Sequence, residues 1–307
     1  MSEANAAAPG GVRAGLNLPL LAMLLAPLLW SGNFIAGRAL HELIDPLTLN
    51  FIRWLIALLV FLPFVWHELL ASRPAMRREW RLLFGLGATG IAAFQTLVYL
   101  ALHSTTATNA LLMLSLAPIA ILIAAAIVGA ERPTAHQLFG MLVSLAGAAV
   151  LVTRGEVETI RAFGFNAGDL WMLAAVAIWA AYALLLRRRA ADLPQRLTLA
   201  ASMATALLLM APFMLFNDFG AGLDALASPG VLLSIGYVAT FSSIGAFLLW
   251  SYGVAQLGPT RAGQFIHLMP LYGAVLAALF LGETPTFAQL VGGTLVLSGI
   301  FLVERKA

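Results

Sequence analysis

Most of the chain is apolar on every face, and short polar or arginine-bearing segments interrupt it at regular intervals. A helix of about 20 apolar residues crosses about 30 Å of hydrocarbon, and the runs here have that length. The interruptions predict ten helices, over 18–39, 46–65, 82–102, 105–130, 134–152, 169–186, 197–216, 229–255, 260–281 and 286–303. Residues 1–17, rich in Ala and Gly, read as a mobile tail, 153–168 as a polar linker and 304–307 as a second tail. One membrane domain results, with five helices in 18–152 and five in 169–303. Arg13 ahead of an apolar run would also suit a cleaved signal peptide. Trp30 and Arg38, however, have the eight-residue spacing of Trp179 and Arg187, which makes the first run one member of a pair.

The pairing is plainest in PIAILIAAAIVGAERPTAHQLFGMLVSLAG (118–147) and PLYGAVLAALFLGETPTFAQLVGGTLVLSG (270–299). At an offset of 152, Pro118 falls on Pro270, Glu131 on Glu283, Pro133 on Pro285, Thr134 on Thr286, Gln137 on Gln289, Gly140 on Gly292 and Gly147 on Gly299. Extended back to Thr108 and Thr260, the overlay gives 14 identities in 44 positions without a gap. Such spacing marks one structural unit used twice. T-x-x-Q is a capping box for the second helix of each unit, and the prolines stop the first. Pro118, Pro270, Glu131 and Glu283 are therefore read as structural, each glutamate turning toward the next helix N-terminus or toward an arginine, because a helix C-terminus disfavours an anion.

An odd number of spans per repeat makes the second copy enter from the opposite side, so the two five-helix repeats are predicted to be inverted around a central cavity. Loop charge agrees: with a cytoplasmic N-terminus, thirteen Arg and Lys fall inside and three outside. That bias places both termini in the cytoplasm, in a multi-pass inner membrane protein.

Composition narrows the chemistry. Apolar residues make up 61% and charged residues 10% of the chain, against roughly 25% charged in soluble domains. The arginines sit between helices and report topology, so no nucleic-acid partner is expected. There is no cysteine, which excludes disulfides and thiolate metal sites. The histidines show no ligand spacing, and no metal or cofactor is expected. H-E-x-x-H, a phosphate-binding loop and mid-helix carboxylates are all missing from the sequence, and its lone lysine is Lys306. A membrane enzyme therefore lacks its groups, and transport would run on a gradient or as uniport.

Polar side chains in hydrocarbon usually face the bundle interior or a wet cavity. Gln264 and His267 share one helix face, at positions where the first repeat has Leu112 and Ser115. They are read as cavity-lining, with His267 able to carry a coupling proton or, alternatively, packed against a backbone carbonyl. Asn33, Gln95, Tyr99, Asn109, Ser115, Tyr182, Thr240, Ser243 and Trp250 are further candidates for substrate binding. Trp30 and Trp179, mid-membrane and at paired positions, would stack on an apolar substrate side chain. For each, interhelical bonding is the competing role. Arg53 is the one charge deep in a helix; snorkelling, pairing with a helix-end carboxylate and anion binding are all open to it. A non-transporting scaffold would have no need of Gln264 and His267.

The chain resembles the drug/metabolite transporter superfamily, specifically its EamA-type ten-helix exporters. The resemblance spans about 18–303 and rests on LLWSGNFIAGRAL, Arg53, LAPIAILIAAAIVGAERPTAHQLFG, GDLWMLAAVAIWAAYALLLRR and LMPLYGAVLAALFLGETPTFAQLVGG. It implies a basket-like bundle and alternating-access export of amino acids, including aromatic ones, or of related small metabolites. Efflux of a drug or another metabolite is the alternative. The first helix lacks the glutamate of single-repeat multidrug relatives, which disfavours cation efflux. The expected partners are a small-molecule substrate and the lipid bilayer, and the expected state is a monomer.

Overall fold

The computed structural model describes residues 17–40, 43–102, 104–131, 133–161, 164–188, 193–214, 228–282 and 284–304. Glu283 and the two tails, apart from Asn17 and Glu304, lie outside the described residues, and Arg38 and Tyr99 are described by backbone alone. Ten long helices follow one another: α1 (Leu18–Leu40), α2 (Pro46–Ala71), α3 (Trp80–Leu86, Gly87–Ala93 and Phe94–Leu102 end to end), α4 (Ala107–Leu114 and Ala117–Ile127), α5 (Ala135–Thr153), α6 (Ala167–Arg187), α7 (Gln195–Met214), α8 (Pro229–Tyr237, Val238–Gly245 and Ala246–Leu257), α9 (Pro259–Gln264, Phe265–His267 and Leu268–Leu281) and α10 (Phe287–Glu304). Short helices Arg73–Arg78 and Val157–Arg161, absent from the sequence prediction, connect α2 to α3 and follow α5. Nine helices among the described residues are long and apolar enough to cross a membrane, and α1 adds a shorter apolar stretch, Leu18–Asn33.

The outer surface confirms the solvent. Ile127, Leu208, Leu233 and Phe287 are each at least 75% exposed, which suits hydrocarbon and would be a liability in water. Inside, an aromatic and aliphatic core built around Trp54, Trp179, Phe247 and Trp250 joins both halves of the chain.

The predicted capping boxes are present. Thr134 and Thr286 each accept from the backbone N–H of the glutamine three residues on at 3.2 Å, and each glutamine side chain accepts from the threonine N–H at 2.9 Å. The helices they start, α5 and α10, pack with the backbones of their glycines in direct contact. A Cβ on Gly147 would come within 2.6 Å of Gly292 O, and one on Gly299 within 2.5 Å of Gly140 O. Small residues allow such backbone approach in membranes. Gly140 meets Gly299 while its repeat partner Gly292 meets Gly147, so the contact is antiparallel and locally two-fold.

Three features of the helices escape the sequence pattern. α4 breaks at Ser115–Leu116, and α9 tightens to a 3₁₀ turn at Phe265–His267, the equivalent positions. Pro118 and Pro270 explain both, since each ring clashes with the carbonyl four residues back and offers it no N–H. The third feature is a π-helical stretch in α3 (Gly87–Ala93) and in α8 (Val238–Gly245). Each begins within a G-x-x-A-T sequence, Gly85–Thr89 and Gly236–Thr240, now at an offset of 151. In both, the threonine hydroxyl donates to the glycine carbonyl four residues back at 2.6 Å. Such back-bonds bend a helix, and π-turns recur where a helix is shaped for function.

Candidate functional site

The two π-turns border a cavity of about 110 Å³ between α1, α2, α3, α4, α6, α8 and α9. That is below the usual range of about 300–1,000 Å³ for small-molecule sites, so a bound substrate requires the walls to part. α3 contributes Gly90, Phe94 and Gln95, and α8 contributes Ser242 and Phe247. Gly90 is needed there because a Cβ would run into the Tyr182 ring at 2.4 Å. The lining runs from mid-bundle to the end where α2, α4, α6 and α8 begin.

Aromatic rings form its floor and walls. Trp30 lies 5.5 Å from both Trp179 and Trp250 and 5.6 Å from Phe247. Trp179 also contacts Phe94 at 4.8 Å and Tyr182 at 5.1 Å, and Trp54 meets Phe247 edge-on at 5.1 Å. The angles are edge-to-face or tilted, the arrangements the ring quadrupole favours. Pro27 sits within α1, and Ser31 donates to the Pro27 and Met269 carbonyls at 2.7 and 3.1 Å. Those bonds fix Trp30 and Asn33 against α9.

The polar groups of the cavity are mainly donors. The Trp30 indole is already spent on the Ser242 carbonyl at 3.2 Å. The buried indole N–H groups of Trp54 and Trp179 and the Ser242 hydroxyl have no partner within the described protein. Arg53, 5% exposed, lies over the Trp54 ring at 5.1 Å and is the single charged residue of the lining, with Asn33 and Gln95 as the neutral amides. The Arg53 side chain is buried at the cavity wall. Among the described residues no carboxylate lines the space. A ligand with an acceptor-rich, anionic head and an apolar body complements these walls.

Gln264 and His267 are placed elsewhere. Both are fully buried and outside the cavity lining. His267 Nε2 is 2.8 Å from the Ser115 carbonyl, and Nδ1 is 2.8 Å from the Ser144 hydroxyl. A neutral imidazole satisfies both, with Nε2–H donating to the carbonyl and the serine hydroxyl donating to Nδ1. Ser115 in turn donates to the Leu111 carbonyl at 2.9 Å, and Gln264 donates to the Ile300 carbonyl at 3.3 Å. The shared helix face expected to be wet is instead a dry junction of α4, α5, α9 and α10. The 3₁₀ turn before Pro270 re-aims it.

The other candidates divide. Trp30, Asn33, Gln95 and Trp179 line the cavity together with Arg53. Tyr182 and Trp250 are buried just behind its wall, Tyr182 hydrogen-bonded to Ser251. Ser243 donates to the Val238 carbonyl at 2.9 Å, five residues back, and so belongs to the π-turn. Asn109 is half-buried in the first turn of α4, where its N–H is capped by Thr106, and is not in the lining; Tyr99 has no described side chain. The sequence pattern does not single out Trp54, Phe94, Ser242 and Phe247; the doubled G-x-x-A-T was the available signal for the last three.

The two ends of the bundle are built differently. At the end where α2, α4 and α6 finish, Glu131 pairs with Arg187, Glu68 with Arg196 and Glu304 with Arg261. Glu131 thus took the arginine among its predicted options. It also crowds Gly258, whose φ of +82° and 2.5 Å Cβ clearance to Glu131 leave room for glycine alone. At the other end, Thr105 donates to Asp169 at 2.6 Å and joins the starts of α4 and α6.

Comparison with known proteins agrees with the doubled architecture. The model of the EamA-like transporter family matches twice, over residues 17–153 and 166–305. An uncharacterized transporter of Archaeoglobus fulgidus is 26% identical over 286 residues, 93% of this chain and 97% of its own. A probable amino-acid metabolite efflux pump of Salmonella typhimurium is 26% identical over 288 residues, 91% and 92% of the two chains. A solved structure, titled only as the crystal structure of a protein, superposes with a TM-score of 0.74 at 21% identity, covering 92% of this chain and 95% of that one; it shows the shared fold.

Proposed function

The chain belongs to the EamA-like transporter family, and we propose that it is a secondary exporter of amino acids with aromatic or other apolar side chains, or of closely related metabolites. The observation that carries this reading is the cavity: an aromatic enclosure whose described lining has one guanidinium, two indole donors without a partner and no carboxylate. The substrate's carboxylate faces Arg53 and its side chain packs among Trp30, Phe94 and Trp179. The efflux pump similar to this chain supports the same substrate class.

Alternating access accounts for the two ends. Ten helices form two inverted repeats, with the locally two-fold contact of α5 and α10 near their axis. The thirteen-to-three charge bias places the ion-paired end and both termini in the cytoplasm of an inner membrane protein. The cavity then faces outward, with the inner side shut by the tryptophan floor and three ion pairs.

Counterflow of labelled phenylalanine or leucine in proteoliposomes tests the proposal, since it needs no gradient. The wild-type protein should exchange label, and Arg53→Gln should bind roughly 10- to 100-fold more weakly, the scale of a lost charge-assisted hydrogen bond. A folded wild-type protein that exchanges no amino acid would sink the substrate reading, and an Arg53→Gln variant with unchanged affinity would remove the carboxylate anchor.

A further inference from the structure

The ion-paired end carries an opening that plays no part in transport as described. It lies on the outer face, between the end of α2, the helix Arg73–Arg78, the start of α3 and the first half of α7, with a volume of about 580 Å³. Arg73 and Arg77 form the rim, four residues apart and so on one face of their helix. Trp66 and Trp80, both about half exposed, flank them. Phe84, Ala201 and Ala204 continue the groove inward. Ala201 and Ala204 lie six and nine residues after Gln195, where α7 begins. At about 1.5 Å per residue they sit roughly 9–14 Å below the rim, a depth that belongs to hydrocarbon.

Among the described residues, the charge at the rim is not ion-paired, as is also the case at Arg81 and Arg188 of the same end. Arg78, Arg187, Arg196 and Arg261 each hold a carboxylate. Among the described residues, neither Arg73 nor Arg77 has an ion-pair or hydrogen-bond partner. Both are exposed beside tryptophans, the residues that mark the headgroup layer.

We propose that this groove holds one anionic phospholipid, with its phosphate between Arg73 and Arg77 and one acyl chain along Phe84, Ala201 and Ala204. Two guanidinium forks suit a phosphate's oxygens. The alanine floor leaves room for a chain where larger residues would fill the groove. A zwitterionic lipid presents the same phosphate, but its amine cancels the net charge that the unpaired arginines attract. The bound lipid would tie the α2–α3 connection to α7.

The test uses delipidated full-length protein in detergent, with retention followed by native mass spectrometry and stability by thermal unfolding. Phosphatidylglycerol, phosphatidylcholine with the same chains, and inorganic phosphate are compared. Phosphatidylglycerol should be retained and stabilising, phosphatidylcholine much less so, and inorganic phosphate without effect. Each arginine should contribute roughly fivefold, so Arg73→Gln with Arg77→Gln should weaken phosphatidylglycerol retention on the order of 25-fold. Arg81→Gln, outside the groove beside Trp80, should stay within about twofold of the wild-type protein. Equal retention of the two lipids, full stabilisation by inorganic phosphate, or an undiminished phosphatidylglycerol preference in the double variant would each overturn the proposal. Should the double variant fail to fold, the comparison of the two lipids on the unaltered protein still decides.

Discussion

The interior has two polar regions with opposite accounts. At the α4–α5–α9 junction every nitrogen of His267 has a partner, the Ser115 carbonyl and the Ser144 hydroxyl, each at 2.8 Å. In the cavity, the indole N–H groups of Trp54 and Trp179 and the Ser242 hydroxyl have none within the described protein. A buried donor left unmet costs about 1–3 kcal/mol, and a fold tolerates this only where something else offsets it. Unmet atoms also occur outside the cavity, at Gln264 Oε1 beside the junction and at the Trp250 indole N–H. The three cavity donors differ in bordering open space, so the His267 site reads as structure and the cavity set as the place a ligand completes. The histidine that looks most functional in the sequence is the better satisfied of the two.

Removing the junction's hub should give the largest effect. His267→Leu strands a carbonyl and a hydroxyl in a dry site, so unfolding stability in detergent should drop by about 2–4 kcal/mol, while the folded fraction binds substrate within about twofold of the wild-type protein. His267→Gln, whose amide can both donate and accept, should recover part of the loss. Intact stability with collapsed affinity would instead put His267 in the transport path and erase the contrast.

The next effect is smaller and sharper, because the same truncation is made in each of two neighbouring residues. Trp30 and Trp179 contact each other at 5.5 Å and occupy equivalent places in the two halves. The Trp30 N–H holds the Ser242 carbonyl, whereas the Trp179 N–H holds nothing in the described protein. Phenylalanine keeps a ring and deletes the donor. Both changes truncate a buried ring and should lose stability for that reason, with Trp30→Phe losing about 1 kcal/mol more for its broken hydrogen bond. Trp179→Phe should weaken substrate binding about fivefold. Thermal unfolding and a binding titration on both variants check this; the same pattern in both would mean that the free donor is not aimed at substrate.

These contrasts explain which features are legible in the sequence. Helix number, the doubled turn and its caps follow from apolar length and T-x-x-Q spacing, which act within a few residues. The family resemblance rests on the same segments. The faces of α9 are not legible, because helical periodicity takes an ideal helix through Pro270, and the 3₁₀ turn at Phe265–His267 rotates one half of α9 against the other. The cavity walls are half legible: Trp30, Trp179, Asn33 and Gln95 stand out as polar or amphipathic residues in apolar runs. Phe94 and Phe247 look like any lipid-facing ring until the π-turns aim them inward. G-x-x-A-T repeats at 151 rather than 152, and an overlay held to a single offset passes over it.

The smallest effect tests whether the closed kind of polar site is neutral toward transport wherever it occurs. Thr134 and Thr286 cap α5 and α10 with matching distances of 2.9 and 3.2 Å. Both caps are exposed, so water replaces part of what alanine removes, and each Thr→Ala change should cost about 1 kcal/mol. Neither helix contributes a residue to the cavity lining; their glycine faces are spent on each other. Substrate selectivity should therefore be unchanged in both variants. The two losses should also agree within about 0.3–0.5 kcal/mol and add in the double variant, because the caps share no partner. A selectivity change in Thr134→Ala alone would point to Glu131, three residues earlier, whose bond to Arg187 joins the end of α4 to the end of α6. The hairpin would then act through the ion-paired end, and a fully satisfied site would have turned out to steer transport after all.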